Sequence, residues 1–289
     1  MCPVAAPGYP RGATIRANRP DIPVGLKMSD ITTERKGEVA WIRLMRPERM
    51  NAYDAAMARS LIVAIEGAAD AGVIVLTGSG RAFCAGGYLA NLSKPDAGAL
   101  RNMFYGSLHL YEAIRNSPRP VIAAVNGVAA GGGNELVVAC DLAIAAESAT
   151  FGQTGVKVGS APVLGGTNFL AMNIGEKRAK EVAFLCRRYP AKQALELGWI
   201  NAVVPDAQLE DEVTRWADEL LRMSPRYLEI AKISSNLWWN QCRDGYLSGL
   251  GMLVQAIGSA DMIEGATAFM EKRQPRFEGR AKRIPPREL

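Results

Sequence analysis

The residues with the most chemistry in this chain are Ala129-Ala130-Gly131-Gly132-Gly133-Asn134-Glu135-Leu136. Three successive glycines carry no Cβ, so a ligand can come close to the backbone. They fall where an apolar run at residues 121–125 gives way to another at 136–139. The first run reads as a buried strand and the second as the start of a buried helix. Amides at a helix N-terminus lack intrahelical partners and favour negative charge. Glu135 adds a carboxylate one turn on. An unshielded N–H facing a carbonyl, with an acid/base beside it, suits a reaction that develops an enolate. A second turn, Arg81-Ala82-Phe83-Cys84-Ala85-Gly86-Gly87-Tyr88-Leu89, follows an apolar run at 73–76. An oxyanion hole needs two donors, and these two turns can supply one each.

The elements that must position these turns follow from periodicity. Residues 31–35 and 39–44 alternate like paired strands around a Lys36-Gly37 turn. Asp54 is placed to cap a helix running to about residue 69. A helix is expected within 97–117 and a further buried strand at 140–146. The later part reads as helices at 166–173, 176–185, 191–197, 208–223, 225–235, 244–257 and 261–272. Short strands alternating with helices give an α/β class.

Bulk properties exclude several roles. The 289 residues allow one large domain or a domain with an appendage. No apolar run approaches the roughly 18 residues of a membrane span. Five cysteines show no paired spacing and no neighbouring histidine, so a disulfide scaffold and a metal site are not expected, and a reducing cytoplasm is. Residues 1–27 hold five prolines and no apolar periodicity, and read as a tail rather than a secretory signal. That tail carries Arg11, Arg16, Arg19 and Lys27 against Asp21, more than half of the formal net charge of +5. The basic balance is therefore a weak case for nucleic acid.

Five pieces in order carry a resemblance: Arg46-Pro47-Glu48-Arg49-Met50-Asn51-Ala52, the Ala82 to Gly87 turn, the Gly131 to Glu135 turn, Phe151-Gly152-Gln153, and Phe269-Met270-Glu271-Lys272-Arg273. Together they resemble the crotonase superfamily, also called the enoyl-CoA hydratase/isomerase family, over roughly residues 30 to 275. The resemblance implies a spiral of ββα units over 28–205. It also implies a helical C-terminal region over 206–289 that packs on the core and on neighbouring subunits of a homotrimer or hexamer. It implies an acyl-CoA substrate whose thioester oxygen lies between the amides of Gly87 and Gly132. Glu135 matches the first of the two hydratase carboxylates, the one that activates water for attack at C3.

The chain departs from the pattern at the second carboxylate, where Gly155 stands. Phe151-Gly152-Gln153-Thr154-Gly155, Lys157-Val158-Gly159-Ser160, Leu185-Cys186-Arg187-Arg188-Tyr189 and Lys272-Arg273-Gln274-Pro275 are similar to naphthoate synthase and ketocyclohexanecarboxyl-CoA hydrolase. In naphthoate synthases of that branch lacking the second glutamate a bicarbonate can take its place, held by positions matching Gln153 and Gly155. Its third holder, a tryptophan, matches Ala183 here. The branch's catalytic aspartate falls at Pro162. Ala85, Tyr88, Leu89, Gln153, Gly155 and Pro162 are the expected substrate-pocket residues. Lys272 and Arg273 match a basic pair that can meet CoA phosphates. His109, the single histidine, and Cys84 are expected to be packing or surface groups. Trp238, Trp239, Met252 and Leu253 are expected to supply buried contacts between subunits.

The leading expectation is an acyl-CoA enzyme acting through an enolate: hydration first, double-bond isomerisation second, and carbon–carbon hydrolysis of a β-keto thioester third. The alternative class is a non-catalytic acyl-CoA- or RNA-binding homologue.

Overall fold

The computed structural model describes residues 30–88, 93 and 95–277. Expectations for residues 1–27 and for Leu89 lie outside the described residues. Strands β1 (Ile31–Lys36) and β2 (Val39–Leu44) pair antiparallel across the Lys36-Gly37 turn, with Ile31 opposite Leu44. Helix α1 (Ala55–Gly67) starts where expected: Asp54 accepts hydrogen bonds from the Ala56 and Met57 amides at 3.0 and 2.9 Å. Such a cap is worth about 1 kcal/mol. Met57, Leu61 and Ile65, four residues apart, face the core.

A repeated unit then begins. Strand β3 (Val73–Gly78) joins the large sheet, β4 (Ala82–Cys84) joins a second sheet, and helix α2 (Ala97–Asn116) follows. The next turn repeats it with β5 (Val121–Val125), β6 (Val128–Ala130) and α3 (Gly132–Ala139). A third supplies β7 (Leu142–Ala146) and β8 (Thr150–Gly152). Helices α4 (Phe169–Ile174) and α5 (Glu176–Leu185), strand β9 (Tyr189–Pro190), helix α6 (Ala191–Glu196) and strand β10 (Ala202–Val204) come next. The large sheet has the order β1-β2-β3-β5-β7-β10, parallel except for β1, and the small one β4-β6-β8-β9. One strand to each sheet per turn is the ββα spiral that the resemblance implies.

Four more helices follow among the described residues: α7 (Leu209–Leu221), α8 (Pro225–Ser235), α9 (Leu237–Gln255) and α10 (Ala260–Met270). Val213 and Ala217 of α7 cover Val73, Val75 and Ile122 on one face of the large sheet. Trp239, Tyr246 and Leu250 of α9 enter the main core with the other face. Trp239 stacks on Phe169 with ring centroids 3.8 Å apart, and Leu253 is buried. These two side chains therefore pack inside the subunit rather than between subunits, whereas Met252 is exposed. The side chain of Trp238 lies outside those described.

Two boundaries differ from expectation for identifiable reasons. The strand expected from residue 140 starts at Leu142, because Cys140 still donates to Leu136 O and closes α3. The helix expected from residue 166 starts at Phe169, where Asn168 Oδ1 accepts from the Phe169 amide at 2.9 Å and caps it. Among the described residues, no helix is long and apolar enough to cross a membrane.

Candidate active site

The first turn is built by the Arg46-to-Ala52 segment. Arg46, almost buried, pairs with Asp30 at 2.5 Å and with Asp54 at 2.9 Å. Asn51 sits in the left-handed region at φ 56°, which asparagine tolerates better than most residues. Its buried amide donates to Ser79 O and Ala82 O, and its oxygen accepts from Arg46 N. One side chain thus ties the start of β4 to the loop before α1. Cys84 donates its S–H to Asn51 O, and burial pushes its thiol up to about 12, so it stays protonated. This agrees with a packing role.

The second turn lies against the first. A Cβ on Gly86, whose φ is +95°, would come 2.8 Å from the Gly132 nitrogen. A Cβ on Gly133 would come 1.9 Å from Cys84 O. Glycine at these positions is what lets the N-terminus of α3 touch the end of β4. The first intrahelical donor of α3 is Glu135 N, bonded to Gly131 O at 3.0 Å, so the amides of Gly132, Gly133 and Asn134 precede the ladder. Neither Gly87 N nor Gly132 N donates to another backbone group among the described residues.

Both glycines line one pocket with Glu135, Ala85, Gln153, Gly155 and Pro162, so most of the expected site residues converge. The wall also holds Tyr53, Ser107, Met103, Phe104, Leu164 and Leu253, which were not expected there. Leu253 was expected between subunits. Tyr53 directly follows Asn51-Ala52, a position at which a pocket role has no signature of its own. Tyr88 does not line this pocket; its ring lies under the Arg49 guanidinium at 4.7 Å.

Glu135 is the one carboxylate among the described lining residues. Oε1 accepts from Leu164 N at 3.0 Å and from Gly166 N at 3.1 Å. Burial pushes the carboxyl up to about 8, and those two amides pull it only partly back. A carboxyl so placed is poised to give and take a proton near neutral pH. Gln153 is buried, and neither its Nε2 nor its Oε1 has a partner among the described residues.

Gln153 and Gly155 would face a bicarbonate, but Ala183 is buried on α5 and offers no N–H in place of the tryptophan. The donor set is thus incomplete for that anion. Lys272 and Arg273 line a separate groove with Lys157 and Val158; Val158 also lines the pocket. Arg273 is held by Glu264 at 2.6 Å and by Glu271 at 2.6 Å. His109 is exposed, 3.6 Å from Glu112.

The enoyl-CoA hydratase/isomerase family model matches residues 34–280. Solved structures share the fold. An enoyl-CoA hydratase subunit I from Geobacillus kaustophilus is 36% identical, with 86% of this chain and 98% of that one covered and a TM-score of 0.68. An enoyl-CoA hydratase from Bacillus anthracis is 34% identical over 86% and 99%, with a TM-score of 0.69. A carnitinyl-CoA hydratase from Mycobacterium avium is 31% identical over 87% and 99%, with a TM-score of 0.78. Two glycine turns meeting around one buried carboxylate, on a ββα spiral matched over nearly its whole length, make this chain a member of the enoyl-CoA hydratase/isomerase family, the crotonase superfamily.

Proposed function

We propose that the chain is an acyl-CoA enzyme of the hydratase/isomerase type that works through a thioester enolate. The observation that carries this reading is the convergence of Gly87, Gly132 and the single carboxylate Glu135 on one pocket. The thioester oxygen accepts from the Gly87 and Gly132 amides, which meet the charge that grows on it. Hydration of a 2-enoyl thioester is the leading reaction, in line with the hydratases among its structural neighbours. Water adds its oxygen to C3 and gives a proton to Glu135, and Glu135 returns a proton to C2 as the enolate collapses. Leu164 N and Gly166 N fix Oε1, which leaves Oε2 for the transfer.

The lone carboxylate favours a second reading, allylic isomerisation. One base removes a proton at one carbon and delivers it two carbons away, with no need for the group that Gly155 lacks. Ala85, Gln153, Gly155 and Pro162 surround the acyl group in either case. Lys272, beside Lys157, is a candidate contact for CoA phosphates. We also propose assembly into trimers or hexamers through exposed apolar side chains such as Phe184, Ile233, Met252 and Phe269. Light scattering that reports only monomer at micromolar concentration would count against it.

A panel of acyl-CoA thioesters incubated with the protein and followed by mass spectrometry tests the chemistry. Gain of one water with the carbon skeleton intact identifies hydration. Unchanged mass with altered retention identifies isomerisation. A panel in which nothing binds or changes overturns the enzyme reading.

A further inference from the structure

We propose that Tyr53 is a positioning residue that fastens the two donor turns to each other, its hydroxyl acting through Tyr111 on the Gly132 peptide. The inference rests on Gly87 and Gly132 being the thioester donors. The backbone of Tyr53 brackets the first turn: its N–H donates to Gly86 O at 2.9 Å and its carbonyl accepts from Tyr88 N at 3.0 Å. These two bonds make an isolated parallel bridge to Gly87. The side chain reaches the second turn. Tyr53 Oη lies 2.7 Å from Tyr111 Oη, and Tyr111 donates to Gly132 O at 3.0 Å.

The direction of this chain is fixed by counting protons. Tyr111 has one hydroxyl proton, and it is spent on Gly132 O. The 2.7 Å contact then takes its proton from Tyr53, whose hydroxyl also has Ser107 as a partner; Ser107 in turn donates to Met103 O. Burial raises both hydroxyls well above their ordinary range, so both remain protonated donors at any working pH. Hydrogen bonds in such a dry setting polarise one another.

Gly132 needs anchors of this kind. A glycine has no side chain to pack and a wide choice of φ and ψ, so nothing of its own holds its N–H in place. On one side Gly131 N donates to Gly152 O at 3.0 Å. On the other, Gly132 O, in the first turn of α3, also takes the Tyr111 hydroxyl proton at 3.0 Å. The Tyr53 hydroxyl also occupies the space a side chain at 132 would take: a Cβ there would come 2.5 Å from it. One residue thereby sets the start of α3, and with it both an oxyanion donor and the first turn that carries Glu135.

Tyr53→Phe and Tyr111→Phe, singly and together, test the inference on the intact protein with an acyl-CoA the wild type turns over. Each single change should lower kcat about tenfold and leave KM within about twofold. The shift of the bound thioester carbonyl stretch, read by Raman difference spectroscopy, should shrink in each. The double variant should be no worse than either single, because both act through one chain. A lowered melting temperature with unchanged kcat and carbonyl frequency would overturn the inference, as would losses that multiply in the double variant. Tyr111→Phe keeps the test open should Tyr53→Phe fold poorly. A wild type that binds acyl-CoA with no carbonyl shift would overturn the donor reading itself, a result distinct from an effect missing only in the variants.

Discussion

The two sheets of this molecule are built on opposite terms. Strands of the large sheet run five or six residues in all but β10, and every residue of β3 and β5 is buried. Both faces are covered, one by the main core and the other by α7. Strands of the small sheet are two or three residues long. The large sheet contributes buried volume, roughly 1.5–3 kcal/mol for each large apolar side chain. The small one contributes little area but delivers β4 into the Gly86-Gly87 turn and β6 into the Gly131-Gly132 turn. One sheet depends on side chains that fill space. The other depends on side chains that are missing.

Substitutions should separate the two. The largest effect is expected at Glu135, in the helix that β6 leads into. Glu135→Gln should cut turnover about 10²- to 10⁴-fold while acyl-CoA binding, read by titration calorimetry, survives. Gly132→Pro removes one donor and brings ring atoms toward the Tyr53 hydroxyl. A loss of about 10²-fold or more in turnover by a folded variant is expected, and full activity would break the donor assignment.

In the large sheet Ile122→Ala opens a cavity between β5 and α7. It should cost about 2–5 kcal/mol in denaturant unfolding, with kcat and KM of the folded fraction unchanged. A further contrast is in pH. Folding raises the Glu135 carboxyl from its ordinary 4.5 to about 8, so between those values the folded state binds more protons than the unfolded one. Stability contributed by the protonated carboxyl is complete below about 4.5 and is lost as pH rises through about 8. Glu135→Gln should therefore melt higher than wild type above pH 8, and the gap should close toward pH 5. The smallest effect is expected from Gly155→Glu. Its Cβ would lie 3.1 Å from Ala161 and Pro162 backbone atoms, so a few-fold rise in hydration of a short enoyl-CoA should come with some loss of stability.

The same contrast explains what was legible in the sequence. Val73–Gly78 and Val121–Val125 announce themselves as apolar runs, and α1 announces its start through Asp54. Ala82–Cys84, Val128–Ala130 and Thr150–Gly152 are too short for any alternation to be seen, so the small sheet could be implied only by the family's spiral. The glycine turns and Glu135 were legible because their composition is unusual. Tyr53, Tyr111 and Ser107 were not, since a tyrosine on a helix or beside a turn looks like core until its hydroxyl partners are known. An apolar helix position carries no address, so Leu253 reads as a subunit contact in the sequence although it lines the pocket.

That leucine gives the site a schedule. Gly87, Gly132 and Glu135 all leave the ribosome more than a hundred residues before Leu253, yet Leu253 forms part of the wall around them. The turns that carry them precede α9 in the chain, so the part of the cavity wall that Leu253 supplies is absent until α9 docks. On the proposed mechanism, in which Glu135 works in a largely dry cavity, a nascent chain stalled before α9 would carry these groups without that part of their enclosure.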